Sequence, residues 1–379
     1  MRKTKLLLFI ALLLGTMGAA KADEVTADKV VIKVYDDQVL TPGGDAIYIS
    51  VRLESASDVT YTAYQMSFEL PEGLEVCMTD DSYEVYMYGN GGFYPRTGSD
   101  RVGWTYKHTL GSNVVAGNVL NVTCYSSTNA LFAKTSGDLF DFYVKATPYL
   151  KPGDVEIKVK NVKFVTPDET KYLPEDYVST AVQAAATSTL TLKVSATNKF
   201  GTCILPFDYA LPADGSLEAY TCDTHTADAL VLSKVTEMEA YTPYIIYSEA
   251  GFSATLTGTV DAAKYPADGK VQSDHLVGTL VPCELTAGSY VMQNQGDGPM
   301  FYRVGAVPFA LSAGKCYVEL PEGTNVASLR IGGSTTGIAP TQNSTFNSQF
   351  SIFNLLGQPV THMLPGRVYI VNGRKVIAK

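Results

Sequence analysis

Apolar and polar residues alternate at period two along most of this chain. Residues 31–35 read Val-Ile-Lys-Val-Tyr, 47–53 read Ile-Tyr-Ile-Ser-Val-Arg-Leu, and 155–160 read Val-Glu-Ile-Lys-Val-Lys. In an extended backbone successive side chains leave opposite faces, so each stretch has one apolar face to bury and one polar face to leave wet. The pattern predicts half-buried antiparallel strands. Turn residues separate them: Pro42-Gly43-Gly44-Asp45, Pro71-Glu72-Gly73, Asn90-Gly91-Gly92 and Lys151-Pro152-Gly153-Asp154. No stretch beyond residue 22 carries a convincing helical period. Within one predicted strand Met66, Phe68 and Leu70 should face inward, with Gln65, Ser67 and Glu69 outward. Leu139, offset from Phe140, then Phe142 and Val144, form a second inward set, with a bulge or register change expected near Asp141.

Short strands at close spacing with Gly/Pro turns predict an all-β fold. The expected architecture is an N-terminal jelly-roll or immunoglobulin-like β-sandwich, a second β-rich domain and a short β tail. The expected divisions are a signal peptide at 1–22, the sandwich at 27–195, the second domain at 197–333, a polar linker at 334–349 and the tail at 350–379. The first segment has a basic head of Arg2, Lys3 and Lys5, then an apolar run over 6–14. Ala20-Lys21-Ala22 has the small-x-small form of a cleavage site, which would leave Asp23 first. The competing reading is an uncleaved anchor, which the short run disfavours against the ~20 apolar residues of a membrane span. Residues 188–194 look like the strand that closes the sandwich, and a fresh unit opens at 201–207.

Composition narrows the function classes. The 379 residues carry a net charge of −9, which disfavours nucleic acid as a partner. Charged residues make up only 18%, while Tyr numbers 24 and Gly 32, a profile suited to pleated, half-wet surfaces. Cys77 and Cys124 fall in one half; Cys203, Cys222, Cys283 and Cys316 fall in the other. Even counts fit disulfides of undetermined pairing; the alternative is free thiols buried as small hydrophobes. No CxxC and no zinc-ligand spacing occurs, so no metal and no cofactor is expected. His108, His225, His275 and His362 are scattered, and no GxSxG, HExxH or phosphate-loop pattern appears. Paired carboxylates, Asp36/Asp37 and Asp80/Asp81, sit at turns where solvation is the default. The chain is therefore expected not to be an enzyme. The candidate binding surface is aromatic: Tyr83, Tyr86, Tyr88, Phe93 and Tyr94 surround a Gly-rich turn, and Trp104 and Tyr106 follow. Such rings can stack on sugars or anchor a protein. The plainer reading makes half of them core and the rest ordinary strand tyrosines.

The order of motifs in the first module carries a resemblance. An opening strand at 31–34 precedes the Pro42–Asp45 turn and a strand. Residues 63–76 read Ala-Tyr-Gln-Met-Ser-Phe-Glu-Leu-Pro-Glu-Gly-Leu-Glu-Val. Near the end stand 137–145, Gly-Asp-Leu-Phe-Asp-Phe-Tyr-Val-Lys, and the Lys151-Pro-Gly-Asp turn with its long strand to Phe164. This resembles the cohesin-like family, jelly-roll sandwiches related to carbohydrate-binding modules. The resemblance implies protein binding through one sheet of the sandwich, since cohesins are the receptor half of the cohesin–dockerin pair. The implied partner is a dockerin-like segment or another surface protein; polysaccharide binding by the sandwich is the alternative, and a purely structural surface component the third reading. No calcium loop of the dockerin kind, Asp-x-Asn-x-Asp, occurs in this chain.

Residues 201–207 (Gly-Thr-Cys-Ile-Leu-Pro-Phe), Ala240-Tyr241-Thr242-Pro243 and the closing 314–321 resemble a β-module of surface proteins from Bacteroidetes-type bacteria, with no activity to carry over. The tail, 351–360 and 366–379, resembles the C-terminal sorting signal of Bacteroidetes type IX secretion; the competing reading is a small terminal hairpin. Together these imply a secreted or outer-surface protein with no membrane span once the signal is removed.

Overall fold

The computed structural model describes residues 28–34, 38–55, 58–78, 108–132, 134–296, 298–321, 323–324 and 326–332, and the backbone of 352–353, 368–371 and 374–377. Every described helix-or-strand element is a strand, so the chain is all-β. The signal segment, the linker, Asp36/Asp37, Asp80/Asp81 and His362 lie outside the described residues.

The N-terminal part is a two-sheet sandwich. Its strands are β1 (Lys29–Lys33), β2 (Ile47–Glu54), β3 (Ala63–Glu69), β4 (Leu74–Val76), β5 (Thr109–Val115), β6 (Val119–Tyr125), β7 (Gly137–Ala146), β8 (Gly153–Val165), β9 (Lys171–Tyr172) and β10 (Tyr177–Ala184). One sheet runs β1-β2-β7-β4 and the other β10-β8-β3-β6-β5, with β9 beside β8, all pairs antiparallel. Met66, Phe68 and Leu70 face inward as the alternation predicts. They meet Leu139, Phe140, Phe142 and Val144 from the opposite sheet, all fully buried. The bulge on β7 falls two residues before its expected place. Val51 pairs with Phe140 and Arg52 with Asp138, so Leu139 is the extra residue. That insertion turns Leu139 and Phe140 inward in succession, which strict alternation forbids.

The second part holds β11 (Thr187–Val194), β12 (Phe200–Ile204), β13 (Tyr209–Ala210), β14 (Glu218–His225), β15 (Ala229–Val235), β16 (Glu237–Met238), β17 (Pro243–Tyr247), β18 (Phe252–Thr259), β19 (Lys270–Ser273), β20 (Leu276–Thr279), β21 (Cys283–Leu285), β22 (Tyr290–Asn294), β23 (Pro299–Arg303), β24 (Phe309–Leu311), β25 (Lys315–Val318) and β26 (Ser328–Ile331). Ten of these form one sheet, β12-β17-β14-β15-β26-β23-β22-β25-β20-β19, in which only β15 and β26 run parallel. The sheet curls until its first strand returns beside β25. Thr202 Oγ1 donates to Cys316 O at 3.2 Å and accepts from Cys316 N at 3.1 Å. Ile204 N donates to Gly314 O at 3.3 Å.

Residues 1–331 cluster as one compact unit and 332–379 as another. Within the first unit β11 joins neither sandwich sheet. It pairs over its whole length with β18, Thr187 opposite Thr259 through Val194 opposite Phe252. The strand expected to close the sandwich is therefore shared with the second part. Tyr149, on the turn after β7, reaches the curled sheet. Its carbonyl accepts from Tyr265 Oη at 2.7 Å, and Gly314 leaves room for its ring where a Cβ would fall 1.9 Å from the hydroxyl. In the second unit β27 (Ile352–Phe353), β28 (Val368–Val371) and β29 (Arg374–Ile377) form a three-strand antiparallel sheet.

All six cysteines are free thiols in this fold, in line with the second of the two readings that the sequence leaves open. Cys124, Cys203, Cys222 and Cys316 are buried, and Cys77 and Cys283 half-buried. Cys316 comes close to Cys203 but spends its thiol on that residue's carbonyl, at 3.1 Å. Cys222 points its thiol at Thr224 O, at 3.6 Å. Burial pushes the Cys124 and Cys203 thiols up to about 12, so they behave as small hydrophobes rather than nucleophiles.

Candidate functional site

The two outer faces of the sandwich differ. On the β1-β2-β7-β4 sheet three outward positions of β2 and β7 are buried, while Tyr48, Arg52, Glu54 and Tyr143 are half-buried and Lys145 is exposed. Ser50 is 0% exposed, Asp141 1% and Asp138 5%. Ser50 Oγ donates to Asp141 Oδ1 at 2.6 Å, and Arg52 Nη1 to Asp138 Oδ1 at 2.9 Å. Tyr48 and Tyr143 pack beside them with ring centroids 5.9 Å apart.

The other sheet presents an open face, and the strand register fixes its grid. At one end Val178, Lys158, Glu69, Val119 and Val115 lie in a row across β10, β8, β3, β6 and β5. The next rows are Lys160, Ser67, Asn121 and Asn113, then Lys163, Gln65, Thr123 and Gly111, then Val165, Ala63, Tyr125 and Thr109. Tyr125 is 50% exposed, Val178 51% and Val115 43%. Gly111 offers no side chain, and a Cβ there would meet nothing within 4 Å.

A polar network holds the middle of this face. Ser67 Oγ donates to Asn121 Oδ1 at 2.8 Å and accepts from Asn161 Nδ2 at 3.4 Å. Asn161 sits on a bulge where Met66 of β3 faces two residues of β8, and its φ is +54°. Asparagine tolerates that left-handed backbone better than other non-glycine residues. The bulge resets the alternation of β8, so Lys158, Lys160 and Lys163 all fall on the open face. Glu69 Oε1 lies 2.5 Å from Lys160 Nζ, and Oε2 lies 3.3 Å from Lys158 Nζ. The Lys160 hydrogen bond holds the Glu69 carboxyl below its usual range, against a smaller opposing effect of desolvation. Lys163 keeps the face locally positive on an acidic chain.

The aromatic residues singled out from sequence, Tyr83, Tyr86, Tyr88, Phe93, Tyr94, Trp104 and Tyr106, lie outside the described residues. The histidines divide. His108 is a core residue whose Nε2 bonds Ala130 O at 3.0 Å, and burial pushes its imidazole below the usual range. His225 and His275, scattered in sequence, meet at 3.1 Å. Among the described residues no three His, Cys, Asp or Glu side chains gather as a metal-holding group. The face residues Asn121, Thr123 and Tyr125 carry only one sequence signal, the alternation over 119–125, which marks them as outward and nothing more.

No family model matches the sequence, and no curated protein matches it. Among solved structures the chain is similar to cohesin modules. One is the cohesin module of a family 33 glycoside hydrolase from Clostridium perfringens, at 12% identity and TM-score 0.31, covering 42% of this chain and 96% of that one. A type I cohesin from Clostridium thermocellum, solved with its dockerin, gives 15% and 0.30, over 42% and 93%. A non-cellulosomal cohesin from Archaeoglobus fulgidus gives 14% and 0.28, over 42% and 91%. At these identities and TM-scores no functional property passes from them to this chain.

Proposed function

We propose that the chain is an exported, non-catalytic binding protein of the cell surface whose sandwich engages a protein partner through the open β10-β8-β3-β6-β5 face. The observation that carries this reading is the β10-β8-β3-β6-β5 face itself, which exposes Tyr125, Val115 and Val178 around a short polar centre, whereas the other sheet buries Ser50, Asp138 and Asp141 at the middle of its outer side. Five strands about 4.8 Å apart and rows about 3.4 Å per residue make a flat patch on the order of 20 Å on a side. With its rim, such a patch approaches the ~800 Å² per partner of a standard protein interface. Tyr125 is the one aromatic ring in the face grid, where stacking on a sugar chain calls for several. A dockerin-like segment is the partner class we favour, with a lysine-complementary acidic surface. Glycan binding by the aromatic cluster over 83–106 is the competing reading.

The test is binding of the mature full-length chain to purified dockerin segments, with calcium and with chelator, and to soluble polysaccharides. Tyr125→Ala and Thr123→Arg should each weaken dockerin binding at least tenfold, the effect of losing an interface anchor worth about 2 kcal/mol. Glu75→Ala, exposed on the other sheet, should change nothing. Retention of polysaccharide alone, insensitive to both face variants, would sink the protein-binding reading. For export, N-terminal sequencing of the mature protein should begin at Asp23; an intact Met1 would count against it.

A further inference from the structure

His225 ends β14, and His275 occupies the two-residue turn between β19 and β20. His225 Nδ1 lies 3.1 Å from His275 Nε2, and the rings cross at 83° with centroids 4.7 Å apart. Two imidazole nitrogens bound side by side on one divalent metal, each about 2.0–2.1 Å from it, stand about 3 Å apart. We propose that this pair is a two-histidine site for a borderline transition-metal dication, Cu²⁺, Ni²⁺ or Zn²⁺, completed by water.

The fold aims both rings. The register of β14 against β15 slips between Cys222 and Thr224, leaving Asp223 as an extra residue. Cys222 pairs with Leu232 and His225 with Leu230, so the bulge places His225 on the same face as buried Cys222. Without it, Thr224 would take that position. Bulges re-aim side chains in this way. On the other side the turn is tied at both residues. Gln272 Nε2 donates to Asp274 O at 3.0 Å, and Glu319 N donates to His275 O at 3.0 Å. Asp274 adopts a left-handed φ of +50°.

Asp223 and Asp274 are exposed and stand close to the two histidines in sequence, with Asp223 Oδ2 accepting from Ser233 Oγ at 2.8 Å. The Cys222 thiol points at Thr224 O and is not aimed at the rings. Two nitrogen donors and open water positions select by ligand softness, so Cu²⁺ should bind tightest, Zn²⁺ more weakly, and Mg²⁺ or Ca²⁺ not at all.

The experiment is a titration of the full chain with CuCl₂, then ZnCl₂ and MgCl₂, in a non-chelating buffer, followed by calorimetry and by electron paramagnetic resonance of the copper form. One equivalent of Cu²⁺ should bind, with a two-nitrogen signature. His225→Gln and His275→Gln should each lower the copper affinity at least tenfold and erase that signature, while His362→Gln leaves it intact. Thermal melts in the absence of metal check that each variant folds; where one does not, His225→Asn or His275→Asn replaces it. Absence of saturable binding, binding that survives both substitutions, or equal binding of Mg²⁺ would overturn the site and leave a hydrogen-bonded histidine pair.

Discussion

Phe140→Ala should cost about 3–5 kcal/mol of stability, the range for deleting a buried aromatic ring. Phe140 is completely buried on β7. It stacks on Tyr64 at 5.9 Å with 18° between planes, meets Phe68 edge-on at 6.1 Å and touches Phe142 at 6.3 Å. The ring bridges the two sheets, so its loss opens a cavity that neither backbone can close. A domain of ordinary stability holds only about 5–15 kcal/mol in total, so the variant should unfold at a much lower urea concentration. Phe142→Leu keeps most of the volume and should cost under about 2 kcal/mol. Urea unfolding of both variants checks this. A Phe140→Ala loss below about 1 kcal/mol would contradict the packing.

Gly43→Ala should be comparably damaging, for a reason of backbone rather than volume. Gly43 holds φ at +72°, and an added Cβ would fall 1.7 Å from the carbonyl oxygen of Thr189 on β11. The contact cannot relax cheaply, because both backbones are pinned. Gly43 N donates to Ala146 O at 2.9 Å, and Thr189 N donates to Pro42 O at 2.9 Å. Alanine must displace β11, and with it the β11–β18 pairing that joins the two parts of the unit. Gly117→Ala is the control. It has the same sign of φ, +82°, and nothing nearer to its Cβ than Val119 Cγ2 at 4.0 Å. The control should lose about 1 kcal/mol from backbone strain alone, while Gly43→Ala loses about 3 kcal/mol or more. Equal losses at the two sites would show that β11 does not lie on the turn.

Much of the local structure is written in short stretches of residues. Side chains in a strand alternate without exception until a bulge intervenes, so Met66, Phe68 and Leu70 declare their inward face and Gln65 and Glu69 their outward one. Proline and glycine mark turns by their own backbone limits, which is why Pro42-Gly43-Gly44-Asp45 and Lys151-Pro152-Gly153-Asp154 read directly as strand junctions. The all-β class follows from the same two signals. The bulge on β7 was legible in kind but not in place, since either Leu139 or Asp141 could be the inserted residue and only the partner strand chooses.

What joins distant residues was not legible. Nothing in residues 187–194 distinguishes a strand that closes the sandwich from one that pairs with β18. The thiols illustrate the same limit: an even count allows bridges, but a bridge needs two sulfurs aimed at each other, and Cys316 is aimed at a carbonyl. His225 and His275 are 50 residues apart and meet only because a bulge and a tight turn converge. The open sheet face is equally a product of the tertiary fold. Alternation says that Ser67, Asn121, Tyr125 and Lys160 point outward, and it says the same of Ser50 and Asp141. Sequence by itself thus determined strand character, turn positions and the apolar face of each strand, because these depend on a few adjacent residues. Which strands pair, which thiols stay apart and which outward face remains exposed were decided by tertiary contacts, because burial at a position depends on chain that lies far away in sequence.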